Sequence, residues 1–216
     1  MRLTFPLAGS GAPYDGSSTW AARGTGSRLG AMKTITDIGG PAGTLMRWDG
    51  TYWVVIAPTR VIFDTASSSG TTSGADQVIK TGTLPIGILR ACRQFIIRVT
   101  FGKSAGSEAS SFVRCRLGSA GTTADTVLWE NAPGLASANR SWAAETTHIL
   151  TTATNVRQIG PLNVGGWSGG GTSFSFPQDK TVPDVDATAL ILSAGIDMSG
   201  TAETPQVFTL ELCLEP

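Results

Sequence analysis

His148 is the only histidine in the 216-residue chain, and it stands in a run of threonines and aliphatics, "TTHILTT". A serine, histidine and aspartate triad would have to pass through it, because the imidazole is the base such a nucleophile needs. The nearest approach to a nucleophile elbow is "GWSGG" at 166–170, which lacks the strand-to-helix setting that strains the serine into reach. A lone histidine in a strand-like run is more often a packing or surface residue than a base. Cys92, Cys115 and Cys213 are equally isolated: none belongs to a C-x-x-C pair, and each lies in an apolar run ("ACRQFII", "FVRCRL", "LELCLE"). Buried free thiols in a protein made in a reducing compartment are the expectation.

Oxygen ligands gather at Asp179 and in "DVD", Asp184 to Asp186. Calcium takes about six to eight oxygens, and further donors are not evident, so solvated loop carboxylates are the competing reading. No metal or other cofactor is expected. "GSGAPYDG" does not follow a strand and no Walker sequence occurs, which leaves nucleotide binding without support. A glycosidase pair of carboxylates is a matter of separation in space, and the acidic residues here are few and mostly in turns. Sixteen basic residues balance sixteen acidic ones, so no basic footprint calls for nucleic acid. Together these residues point to a protein that is not an enzyme.

Aromatic side chains are the remaining source of chemistry. "PLNVGGWSGGGTSFSF", 161–176, sets Trp167 among glycines. An indole there either stacks on a sugar face, with Asn163 and Ser168 supplying directional hydrogen bonds, or plugs the end of a β-sandwich. Trp129 and Trp142, at strand ends, invite the same two readings. In "LMRWDGTYWVVI", 45–56, Asp49-Gly50 reads as a two-residue type I′ hairpin turn. Large rings are what so small a ribbon needs for cross-strand packing; direct contact with a ligand is the other use for them.

The elements that position these residues are strands. The chain holds 27 glycines, 28 threonines and 20 serines, with only 15% charged residues, a composition that favours short strands and many turns. No helical period persists over about ten residues. "QFIIRVTF" alternates, with Phe95, Ile97, Val99 and Phe101 on one face. "SFVRCRL" places Val113, Cys115 and Leu117 together, opposite Phe112, Arg114 and Arg116. "VFTLELCLE" places Phe208, Leu210, Leu212 and Leu214 together. Such period-2 patterns mark half-buried antiparallel strands. "ATALILSAGI" is apolar on both faces and reads as a central strand. With "DQVIKTGTL", "DTVLWE", "SWAAETTHIL" and "VRQIG", roughly eight strands follow residue 75. The fold expected is all-β: an extended N-terminal arm over 1–30, a small β-hairpin module over 31–64, a flexible link, and a jelly-roll-like antiparallel β-sandwich over 76–216. No apolar run is long enough to span a membrane, and the N-terminus lacks an export signature.

Several stretches resemble the tail-fibre and receptor-binding proteins of tailed bacteriophages. "TITDIGGPAGTLMRWDGTYWVVI" is similar to a short β module in which a "DIG"-type turn precedes a Trp- or Arg-rich hairpin. "GTLPIGILRACRQFIIRVTF" and "SFVRCRLGSAGT" resemble the entry strands of a fibre-head β-sandwich, and "VFTLELCLEP" its closing strand. The likeness spans residues 31–216. It implies a virion protein made in the host bacterial cytoplasm without a signal peptide, assembled as a homotrimer, joined to other virion proteins through the N-terminal arm, and binding a host surface glycan or protein. Residues 1–30 carry no heptads and no shaft repeat, which departs from a long fibre. A short tail-fibre or tip is the first reading, and a head fibre or capsid decoration protein the alternative.

Overall fold

The computed structural model describes residues 14–71, 75–103, 111–131, 141–160, 163–165, 179–198 and 204–216. The all-β expectation holds: the only helical element among these residues is a single 3-10 turn, Ile88–Ala91. In chain order the strands are β1 (Tyr14–Ser18), β2 (Met32–Ile35), β3 (Thr44–Trp48), β4 (Trp53–Val55), β5 (Thr59–Asp64), β6 (Ser68–Ser69), β7 (Asp76–Leu84) and β8 (Gln94–Lys103). They continue with β9 (Ser111–Gly118), β10 (Thr126–Asn131), β11 (Ser141–Thr152), β12 (Asn155–Gln158), β13 (Asn163–Gly165), β14 (Asp179–Thr181), β15 (Leu190–Met198) and β16 (Pro205–Glu215).

Strands β1 to β4 form a small sheet in chain order. The remaining strands make two sheets. One runs β10-β9-β15-β7; the other runs β14-β12-β11-β8-β16-β5, with β13 beside β11 and β6 beside β16. The pairing is nested: β5 with β16, β7 with β15, β8 with β11, and β9 with β10, all antiparallel. That nested order makes a two-sheet antiparallel β-sandwich.

Both module boundaries differ from those the composition suggests. Residues 14–30 are not an arm: β1 pairs in parallel with β2, the Tyr14 hydroxyl lies 3.0 Å from that of Thr34, and Trp20 is buried. Residues 1–13 lie outside the described residues. At the other side, β5, which belongs to "TRVIFD", leaves the hairpin module and becomes an edge strand of the sandwich. The expected link after it contributes β6, which pairs with Gln206 and Val207.

The core follows the alternation of the long strands. Phe95, Ile97, Val99 and Phe101 of β8, Val113, Cys115 and Leu117 of β9, and Leu192, Ala194 and Ile196 of β15 are all buried. β16 departs from the simple pattern. Its register shifts between Val207 and Thr209, so Val207 enters the core and Phe208, expected there, is only half-buried. A bulge inserts one residue and resets which face follows. The Phe208 carbonyl accepts a 3.2 Å hydrogen bond from Lys80, which is itself buried and ion-paired to Asp64 at 3.0 Å. Trp129 is buried against Phe101, with ring centroids 6.4 Å apart, which is the packing role of the two considered. Where β15 meets β7, a second register shift falls at Gly195. A Cβ there would stand 2.1 Å from the Gln77 carbonyl oxygen, so the close approach requires glycine.

Candidate functional site

The hairpin that drew attention in the sequence is tighter in chemistry and longer in loop than a two-residue turn. Trp48 pairs with Trp53, so residues 49–52 all lie in the loop. Asp49 organises it: its Oδ1 accepts from the amides of Thr51 (2.8 Å) and Tyr52 (2.7 Å), and its own amide donates to the Tyr52 carbonyl. An aspartate that caps its own loop in this way relieves the chain of the I′ geometry. Gly50 alone takes positive φ, +105°.

The rings then divide by role. Trp53 is buried, tilts against Trp48 with centroids 5.5 Å apart, and donates its indole N–H to the Gly24 carbonyl at 2.9 Å. Trp20 is buried too and donates its N–H to the Ile86 carbonyl, 2.7 Å away, just before the 3-10 turn of the sandwich. Trp20 fastens the hairpin module to the sandwich, whereas Trp53 ties the hairpin to the segment between β1 and β2. Trp48 is half-buried, and Tyr52 is 37% exposed. Both readings of the hairpin therefore find residues: a structural pair within, and aromatic surface left toward solvent.

That surface lines a cleft of about 470 Å³ at the seam, bounded by Trp20, Arg23, Trp48, Tyr52, Trp53 and Asp186. The volume falls within the range of small-molecule sites. The Arg23 guanidinium lies 3.8 Å from the centre of the Trp20 ring, and its burial lowers its pKa. Arg90 forks onto Asp186 (Nη2–Oδ2 2.9 Å) and stands 5.6 Å over the Tyr52 ring. The hydrogen bonds that Arg90 donates to Asp186 hold it more firmly in its charged form. A second cleft of about 500 Å³ opens on the other side of Arg90, lined by Arg47, Val54, Ile56, Arg90, Cys92 and Arg93. Arg47 and Arg93 are exposed and make no ion pair among the described residues.

Trp167 and Ser168 lie outside the described residues. Asn163 opens β13, whose backbone pairs with Glu145 of β11. The three aspartates do not converge on a cation: Asp179 is forked by Arg157 (2.8 and 2.9 Å), Asp186 by Arg90, and the Asp184 carboxylate accepts the Asp186 amide. The Arg157 contact also holds the Asp179 carboxyl below its ordinary range. No group of three metal-ligating side chains occurs among the described residues. His148 is buried, stacked on Phe95 with centroids 5.4 Å apart, and contacts the Thr146 hydroxyl at 2.9 Å. Burial pushes its pKa down to about 3. Burial likewise pushes the Cys92 thiol up to about 12 and raises those of Cys115 and Cys213. All three cysteines are free.

The fold and the seam define an all-β protein with a ligand-sized, aromatic and basic cleft between its two sheet systems. No family model and no curated protein matches the chain. Among solved structures, the CBM2 module of the evolved Dit of Lactobacillus casei BL23 phage J-1 is similar with a TM-score of 0.30 and 10% identity, over 62% of this chain and 67% of that one. No helix of the described residues is long and apolar enough to cross a membrane.

Proposed function

We propose that the chain is a non-enzymatic structural protein of a bacteriophage particle, a short tail-fibre or tip protein that attaches the particle to the host surface. The resemblance of residues 31–216 to phage fibre modules supplies the setting. The observation that carries the binding role is the seam: exposed Tyr52, half-buried Trp48, and Arg47 and Arg93, which make no ion pair among the described residues, are presented by strands and short turns rather than by long loops. A site on such elements is already organised before its ligand arrives. A binding rather than catalytic role is supported by the state of the reactive groups. The one imidazole is sealed and held neutral, and the thiols are held protonated, so neither the imidazole nor a thiolate offers a base or nucleophile to these clefts.

A homotrimer belongs to the same proposal. Its support is the outer face of the wider sheet, where Arg60, Glu211, Arg98 and Glu145 alternate in charge across β5, β16, β8 and β11, with contacts of 2.8, 3.3 and 2.5 Å. Charges that neutralise one another within a chain lower the cost of covering that face with a second copy. Phe63, 57% exposed beside Arg60, supplies apolar area on the same side. Attachment to the particle is assigned to the N-terminal segment.

Antibody labelling of intact particles in the electron microscope tests the reading. Label at the tail tip is expected. Label on the head would move the protein to capsid decoration, and particles without label would overturn a virion role.

A further inference from the structure

We propose that the seam is a binding site for an anionic saccharide chain, with sugar rings seated on Tyr52 and Trp48 and their carboxylate or phosphate groups held by Arg47 and Arg93. The inference rests on the host-attachment reading and names the ligand class for it.

Two features converge. The first is the division of labour among the cations of the junction. Arg23 is committed to Trp20, whose carbonyl accepts its Nη1 at 2.6 Å. Arg90 is committed to Asp186 through three hydrogen bonds. Arg47 and Arg93 have no such commitment among the described residues, although both line one cleft. Asp49 and Pro216 also line that cleft, and the Asp49 carboxylate is turned to its own loop amides. Two unpaired guanidiniums beside a floor of Val54 and Ile56 form a fork for an acidic group on an otherwise apolar or ring-shaped ligand, because guanidinium presents planar paired donors.

The second feature is continuity. Arg90, which lines the basic cleft, lies 5.6 Å over the ring of Tyr52, which lines the aromatic one. A ligand that spans both must offer flat faces to the rings on one side and negative charge on the other. A neutral glucan satisfies the first demand alone, and a simple polyphosphate only the second. An acidic sugar polymer satisfies both. Asp186 is no obstacle, since Arg90 already neutralises it.

Titration calorimetry on the full chain tests this with three probes: a galacturonate hexasaccharide, a glycerol-phosphate oligomer of similar charge, and maltohexaose. The galacturonate is expected to bind most tightly, and its affinity to fall as salt rises, because the contacts are solvent-accessible. Arg47→Ala and Arg93→Ala should each weaken it about tenfold, and the double variant should lose the salt dependence. Tyr52→Ala should weaken galacturonate and maltohexaose alike. Stronger binding of the glycerol-phosphate oligomer would reassign the anion to phosphate and remove the ring-stacking half of the proposal. Equal binding of maltohexaose, or unchanged binding by the double arginine variant, would overturn the proposal, as would no binding of any probe. Thermal melts check that the variants are folded. The attachment reading is tested separately: if the double variant blocks adsorption of particles to host cells as well as the unmodified protein does, attachment stands and the seam is not its site, whereas if neither protein blocks adsorption the attachment reading fails.

Discussion

Acidification from neutral pH to about 4.5 should cost the protein roughly 2–3 kcal/mol through His148 alone. The imidazole's ordinary pKa is 6.5, and burial lowers it to about 3 in the folded chain. The unfolded chain therefore takes up a proton first as pH falls. The contribution is fully present above the unfolded value and is lost as pH drops from about 6.5 toward 3. Each pH unit in that window is worth about 1.4 kcal/mol, and two units lie between 6.5 and about 4.5. The result barely depends on the folded value, because the folded imidazole stays neutral throughout. Urea titrations at a series of pH values would measure it, with His148→Gln as the control that keeps a polar partner for Thr146. Subtracting the variant removes the common contribution of the carboxylates. The variant is expected to start less stable and to show a flatter slope. Parallel slopes in the two proteins would refute the claim that a sealed, neutral imidazole underlies the dependence.

Other substitutions test the packing. Leu210→Ala, at a fully buried position of β16, should cost about 2–5 kcal/mol, whereas Phe208→Ala, on the bulge, should cost clearly less in the same denaturation assay. Trp20→Ala should cost about 3–5 kcal/mol and lower the melting temperature, because it removes a buried ring and leaves the Ile86 carbonyl without its donor. Gly195→Ala should lower the melting temperature, since a methyl group at 195 meets the Gln77 backbone; an unchanged melting temperature would contradict the close approach of β7 and β15. In mass photometry at micromolar concentration the purified protein should be a trimer, and a stable monomer would contradict the self-covering sheet face.

Alternation made much of the sandwich readable in advance. In β8 every second residue is apolar and buried, because a strand with one face on a core must repeat with period 2. The expected segments "DQVIKTGTL", "DTVLWE" and "SWAAETTHIL" correspond to β7, β10 and β11 within two residues at each end. β13 and β14 were not readable, since three residues are too few for a period to register. Bulges hide in the same way: Val207 and Phe208 are both apolar, and only the shift of register against β8 decides which turns inward. Arg116 misleads for a different reason. Alternation assigns it to solvent, yet it is buried against Asp76, a partner that only the β7–β15–β9 order brings near. The seam was half legible. The Trp-rich hairpin announces itself, but Trp20, the Arg90–Arg93 stretch and Asp186 lie far apart in the chain, and no spacing in the sequence joins them.

The central claim, attachment to a host surface, is tested most directly by competition. Host cells would be incubated with an excess of the purified protein before particles carrying it are added, and the adsorption rate measured. The account predicts that the protein alone binds the cells and slows adsorption in a saturable way. Unchanged adsorption, with no protein retained on the cells, would contradict it.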